Sequence, residues 1–278
     1  MGQVDLGVAF RERSVARPGV GIPVEPCVRR DRAKAGVLRI GLQPGMGYLW
    51  HRAAELERGS DFCSPIGKRA ESSGAAVVHP AIFLDRDGVI IENHANYVRS
   101  WEHVSFYPDI LSTLARLREG PFKIVIVTNQ AGVGKGLIPM AAAELINCQL
   151  MKTIELAGGR IDALLMCPHA PEDGCVCRKP NPGMILWAAE LLSLDLTRSI
   201  LIGDAMSDLK AGQSAGVRRL VLVRTGRGAE QSQLAQVENL GPYLTFGTVG
   251  EALANLAQTP GGLTSSLLPV VDQAFTTP

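Results

Sequence analysis

A charge excess of one sign is the first thing this chain lacks. Lys and Arg number 28 and Asp and Glu 27 over 278 residues, a formal net charge of +1. Bulk electrostatics therefore give no pull toward nucleic acid or an anionic membrane surface. No apolar run approaches the roughly 20 residues of a bilayer-spanning helix. The N-terminal stretch has no apolar core of the signal-peptide kind. Arg29-Arg30 is not followed by an apolar segment and does not read as an export signal. Met1-Gly2 lacks the Ser or Thr that myristoylation favours. No internal repeat is visible. What remains is a cytoplasmic globular protein of one or two domains, and at 46% hydrophobic residues it can bury a sizeable core. The cysteines are Cys27, Cys63, Cys148, Cys167, Cys175 and Cys177. The last-named trio of Cys167, Cys175 and Cys177 crowds around His169, which favours a metal over disulfides and fits a reducing compartment.

Residues 1–79 show no sustained periodicity and are rich in Gly, Arg, Pro and Ser. They read as a poorly ordered extension, with at most a short helix near Leu49 to Leu56. From Pro80 the pattern is regular. Short apolar strands at Ala81–Leu84, Phe122–Val127, Ile161–Met166, Ser199–Ile202 and Arg219–Val223 alternate with helical stretches. Pro108, Pro139 and the Asn181-Pro182 pair open helices; Gly120, Gly158-Gly159 and Gly216 close them. A last helix is expected at Val249 to Ala257, followed by a flexible tail, 259–278. Alternating strands and helices predict an α/β fold, a Rossmann-like parallel sheet with helices on both faces, over residues 80–258. No large insertion follows the first or third of these strands, so no separate cap domain is expected.

Chemistry gathers at the strand ends. Ile82-Phe83-Leu84-Asp85-Arg86-Asp87-Gly88 is an apolar run ending in two acids one residue apart. A strand sets residues i and i+2 on one side, so Asp85 and Asp87 face one point while Arg86 faces away. Two carboxylates there need a cation, because like charges at short range raise each other's pKa. Thr128-Asn129 ends the second strand, Arg178-Lys179 follows the third, and Asp204, with Asp208 beyond it, ends the fourth. Any one of these alone reads as a turn or a helix cap, Asp208 above all. In a parallel sheet all four share one edge, outside which ligands bind. Gly132-Val133-Gly134-Lys135-Gly136 is not a Walker A loop: Asn129 stands where its first Gly belongs, and Gly136 where Ser or Thr must follow Lys135.

With these four motifs in this order, residues 80–228 resemble the haloacid dehalogenase-like phosphohydrolases. The resemblance implies a magnesium-dependent phosphatase with an aspartyl-phosphate intermediate. It makes Asp85 the nucleophile and Asp87 the acid and then base. It gives magnesium to Asp85, the backbone carbonyl of Asp87, and Asp204, and the phosphoryl oxygens to Thr128 and Lys179. By the same resemblance Arg86, Asn93, Tyr97, Asn129 and Arg178 are assigned to the substrate, a small phosphorylated sugar or related metabolite, in an enzyme that works as a monomer.

Cys167-x-His169, five residues, then Cys175-x-Cys177 offers three thiolates and an imidazole, a set that suits tetrahedral zinc with no open position. Such a zinc is structural. It would hold an irregular loop and so place Arg178 and Lys179. Within the superfamily this loop resembles two zinc-bearing groups, the D-glycero-D-manno-heptose 1,7-bisphosphate 7-phosphatases and the histidinol-phosphate phosphatases. Thr128 to Gly136, Cys177 to Met184 and Val223 to Gly226 resemble the heptose group; the short zinc-loop spacing is nearer the histidinol group. Ile91 departs from the Asn usual there. A zinc-stapled binding module without activity is the rival, and it predicts damaged acids where Asp85, Asp87 and Asp204 are intact.

Overall fold

Strands apolar at every position must be covered on both faces, and the chain meets that demand with two helical layers. The computed structural model describes residues 78–234 and 240–258, together with the backbone of two strands nearer the N-terminus. The strands are β1 (Val37–Gly41), β2 (Tyr48–Arg52), β3 (Ala81–Leu84), β4 (Lys123–Asn129), β5 (Ala163–Cys167), β6 (Ile200–Gly203), β7 (Arg219–Val223) and β8 (Leu244–Phe246). The helices are α1 (Ile110–Arg116), the single turn α2 (Ala131–Gly134), α3 (Met140–Leu156), α4 (Gly183–Leu192), α5 (Met206–Ala215), α6 (Gly228–Leu234) and α7 (Val249–Gln258).

The sheet order is β1-β2-β5-β4-β3-β6-β7-β8, with β5 through β8 in that order all parallel. The hairpin β1-β2 adds to the β5 edge antiparallel. The period of two is visible along β3. Ile82 and Leu84 face one layer, with Ile110 and Leu114 of α1, Ile146, Leu150 and Ile154 of α3, and Leu253 and Leu256 of α7. Ala81 and Phe83 face the other, with Met184, Ile185 and Ala188 of α4 and Met206, Leu209 and Ala211 of α5. Each fully buried side chain of this size contributes about 1.5–3 kcal/mol of transfer free energy.

The chain leaves β3 for β4 and β5 on one side, then crosses back to β6, β7 and β8 on the other. That reversal at β3 opens a crevice beyond its carboxyl end, the usual ligand position in such sheets. Among the described residues no domain covers it. Between β3 and α1 lies a folded loop containing the one-turn segment Trp101–His103 and the bridges Asp87↔Ile91 and Ile91↔Phe106. No helix among the described residues is long and apolar enough to cross a membrane.

Three expectations change. Tyr48–Arg52 is a strand, where a helix near Leu49 to Leu56 was anticipated. A β5 edge with free backbone groups offers it a ladder, which local periodicity does not reveal. β8 and α6 carry no clear sequence signal; β8 is a three-residue edge strand. Asn181 does not cap α4, whose N-cap is Pro182; its side chain donates to Cys175 O at 2.8 Å instead. The remainder of 1–77 and the tail 259–278 lie outside the described residues.

Candidate active site

The sheet delivers Asp85 at the end of β3 and Asp204 at the end of β6, neighbours in the order. Asp85 Oδ1 accepts from the Arg86 backbone N–H at 2.7 Å and pairs with Lys179 Nζ at 2.9 Å. Both of these contacts fall on Oδ1 and neither takes Oδ2. Burial pushes the Asp85 carboxyl up to about 7; Lys179 opposes this, while Asp208, Asp204 and Asp87 add to it. Lys179 is buried too. Its ammonium donates to Val127 O at 2.7 Å and pairs with Asp208 Oδ1 at 2.6 Å as well as with Asp85. The ammonium thus lies against three oxygens, one a carbonyl and two from carboxylates. Burial works against its charge, but Asp208 and Asp85 outweigh burial and its pKa is raised.

Asp204 is fully buried and its carboxylate is held from several sides. Oδ2 accepts from Asn93 Nδ2 and from the backbone N–H of Arg227, each at 2.9 Å. The Arg227 guanidinium reaches Oδ1 at 3.3 Å. Gly88 (φ 86°) and Gly226 (φ 57°) close around this carboxylate, and a Cβ on either would enter it. Thr225 Oγ1 ties the two turns together by donating to Gly88 O at 2.6 Å. Asp85, Asp204 and Asp208 bring one oxygen each within 4.8 Å of one another. Three buried carboxylates against one lysine and a half-exposed arginine are short of positive charge. Hard oxygen donors at this spacing suit a magnesium-like ion.

Asp87 turns the other way. Arg86 Nη2 donates to both of its oxygens, at 3.0 and 2.9 Å, and Gln130 Nε2 donates to Oδ2 at 2.6 Å. The same Gln130 Nε2 donates to Thr128 Oγ1 at 2.9 Å, leaving the Thr128 hydroxyl hydrogen free to donate elsewhere.

Of the residues expected at the substrate, Arg86, Asn129 and Asn93 are otherwise engaged. Arg86 is 1% exposed, with its guanidinium on Asp87 and Asn147, so it does not reach the crevice. It departs from the strand's end into the layer beneath and Asp87 goes with it, so the two acids do not face one point as strand alternation predicts: β3 ends at Leu84, before all three residues. Asn129 spends its side chain on Lys179, donating to its C=O and accepting from its N–H, both at 3.0 Å. Asn93 holds Asp204. Tyr97, in the left-handed region at φ 64°, accepts from Lys135 at 3.4 Å. Arg178 donates to His169 O at 3.2 Å. Asp208 does cap α5, accepting from Ala205 N–H at 3.0 Å, but its other oxygen on Lys179 was not anticipated. Its spacing four residues after Asp204 is the only hint in the sequence. Nothing in the sequence marks Arg227 or Asn147.

Cys167, His169, Cys175 and Cys177 converge beside this crevice. Cys177 Sγ lies 3.3 Å from Cys167 Sγ, 3.4 Å from Cys175 Sγ and 3.1 Å from His169 Nδ1. Ligand atoms at about 2.0–2.3 Å around a tetrahedral zinc are separated by comparable distances. The Cys177 thiol is pulled down to about 5, chiefly by its hydrogen bond with Cys167, while that same contact pushes Cys167 up. A lowered thiol pKa favours the thiolate, the form a metal takes. The loop is stitched to the site: Gln130 N–H donates to Cys167 O at 2.7 Å and Gly134 N–H to Pro168 O at 2.8 Å.

A family model described as HAD-hydrolase-like matches residues 176–252. The D-glycero-β-D-manno-heptose-1,7-bisphosphate 7-phosphatase of Bordetella bronchiseptica is 39% identical over 147 residues, 53% of this chain and 82% of the relative. The enzyme of that name from Escherichia coli K12 is 36% identical over 155 residues, 53% of this chain and 81% of its own length. Among solved structures, the D,D-heptose 1,7-bisphosphate phosphatase of B. bronchiseptica, complexed with magnesium and phosphate, superposes with a TM-score of 0.60 at 35% identity. It covers 64% of this chain and 98% of that one.

Proposed function

The chain belongs to the haloacid dehalogenase-like hydrolases, and on that premise we propose that it is a phosphomonoester hydrolase removing the 7-phosphate of D-glycero-D-manno-heptose 1,7-bisphosphate. The observation that carries this reading is the meeting of Asp85, Lys179, Asp204 and Asp208 in one buried crevice, with Thr128 and Asp87 at its side. The catalytic unit is residues 80–258. It works as a monomer in the cytoplasm.

In the first displacement Asp85 Oδ2 attacks phosphorus, the ester P–O bond breaks, and the departing oxygen takes a proton from Asp87. In the second, water attacks phosphorus, Asp87 takes its proton, and the bond to Asp85 breaks. Lys179 offsets the repulsion between an anionic nucleophile and an anionic ester. That repulsion is about 4 kcal/mol for unit charges roughly 4 Å apart at an effective dielectric near 20. Thr128 donates its free hydroxyl hydrogen to a phosphoryl oxygen, and Asn129 holds Lys179 in register by its paired backbone bonds. Magnesium would be held by Asp85, Asp204 and the Asp87 carbonyl, where it supplies Lewis-acid stabilisation of phosphoryl charge. Asn93 and the Arg227 N–H fix the Asp204 carboxylate for that task. Cys167, His169, Cys175 and Cys177 would hold a zinc, which would fix the loop that carries Arg178 and Lys179, with Arg178 serving the distal part of the substrate.

The test is phosphate release with magnesium on both anomers of the heptose bisphosphate and on histidinol phosphate. Preference for a heptose anomer by at least about tenfold supports the reading. Equal and feeble turnover of all three removes the substrate assignment. Asp85→Asn should abolish turnover while the fold persists, and an active Asn variant would end the nucleophile assignment.

A further inference from the structure

We infer that Arg86 and Asn147 are positioning residues for Asp87, and that they set how well a poor leaving group is protonated. The inference rests on the proposed role of Asp87 as general acid. Arg86 is the largest fully buried side chain among the described residues. An always-charged guanidinium in that position is stable only with well-placed partners. On one side its Nη2 bridges both oxygens of Asp87 and its Nε reaches Oδ1 at 3.3 Å. On the other, Nη1 donates to Asn147 Oδ1 at 2.8 Å. Asn147 is fully buried on α3, and its Nδ2 faces Met166 Sδ of β5 at 3.4 Å.

A fixed series of contacts thus runs from β5 through α3 to the carboxylate at the end of β3. Gln130 closes the far side. The planar fork sets the plane of the Asp87 carboxylate, which a single ammonium cannot do. Remove Asn147 Oδ1 and the guanidinium keeps its charge but loses the contact that orients its fork.

Asp87 matters to the reaction in proportion to how badly the leaving oxygen needs a proton. An alkoxide leaving from a sugar phosphate needs it; 4-nitrophenolate leaves without it. Loosening Asp87 therefore slows the first substrate selectively, whereas general loosening of the crevice slows both alike.

The experiment measures kcat/KM in saturating magnesium, which reports steps through phosphoenzyme formation. The substrates are the heptose bisphosphate and 4-nitrophenyl phosphate. Asn147→Leu, similar in volume, and Arg86→Lys should lower the sugar phosphate about 30-fold and the aryl ester less than about threefold. That is part of the roughly 10²–10⁴ that general acid–base catalysis supplies. Asn147→Asp, which keeps an acceptor for Nη1, should restore the wild-type ratio of the two. Equal losses on both substrates, or no loss in Asn147→Leu, overturn the inference. If Arg86→Lys does not fold, the Asn147 pair carries the comparison alone. Asp87→Asn separates the two levels of argument. Leaving-group-blind losses in Asp87→Asn reject the general-acid role itself. A selective loss there without one in the Asn147 and Arg86 variants rejects only the positioning.

Discussion

Gly88→Ala tests whether the Asp204 carboxylate is held where a cation needs it. Gly88 has φ 86°, a region that costs an L-residue roughly 1–2 kcal/mol. The new Cβ would stand 2.5 Å from Asp204 Cγ and 2.9 Å from Asn93 Nδ2, against 3.4 Å for the onset of ordinary contact. Gly226 packs on the same carboxylate, its Cα–H face against Gly88 Cα and Asn93 Nδ2, so the two turns leave it little room. The carboxylate, whose Oδ2 would be nearer the new Cβ than Cγ is, must retreat by more than about 0.9 Å, which strains or breaks the bonds from Asn93 and Arg227. With hydrogen bonds to charged groups worth about 1.5–3 kcal/mol each, the variant should lose about 2–4 kcal/mol without metal. Magnesium affinity should fall about 100-fold, the upper range for a disturbed ligand shell. The assay is the melting temperature with and without magnesium. At 100 times the wild-type Kd, magnesium stabilises the wild type by about 2.7 kcal/mol. The same concentration should stabilise Gly88→Ala by only about 0.4 kcal/mol. Equal magnesium-induced shifts in the two proteins would refute the cradle argument.

Two further outcomes follow from the site. The Asp85 carboxyl rises from 3.8 to about 7 on folding, with burial as the main cause. In chelator, the folded state then binds more protons than the unfolded between about pH 4 and pH 7, so stability should fall as pH rises through that window and level off above it. Asp85→Asn should flatten this slope, and magnesium should help more at pH 8 than at pH 5; a slope unchanged by the substitution contradicts the assignment. Cys177→Ala should lose the zinc found by metal analysis of the wild type, lower kcat by about 10–100-fold and leave Asp85 and Asp204 in place. A wild type without zinc, together with a fully active variant, would dismiss the staple.

The core of the sheet is legible because its cause is local. Each parallel strand is a short run buried on both faces, so Ala81–Leu84 and Arg219–Val223 announce themselves, and prolines and glycines mark most helix ends. β8 and the β1-β2 hairpin are not legible, because an edge strand needs only a free ladder beside it. The Cys167 to Cys177 spacing similarly specifies a ligand set within one loop.

The residue types at each strand end, and their order, were determined by the sequence alone: acids after β3 and β6, a hydroxyl at the end of β4, a lysine after β5. Which partner each one takes was decided only in three dimensions. Arg86 carries a charge that any reader of the sequence sees, yet its placement beneath Asp87 depends on Asn147 arriving from α3, 61 residues along the chain. Asn129 turns to the backbone of Lys179, and Arg227 closes on Asp204, because β4 and the loop after β5, or β6 and the turn after β7, end side by side. Burial gives these pairings their force: in water a lone Asp or Lys needs no fixed neighbour, but inside the protein each must find one.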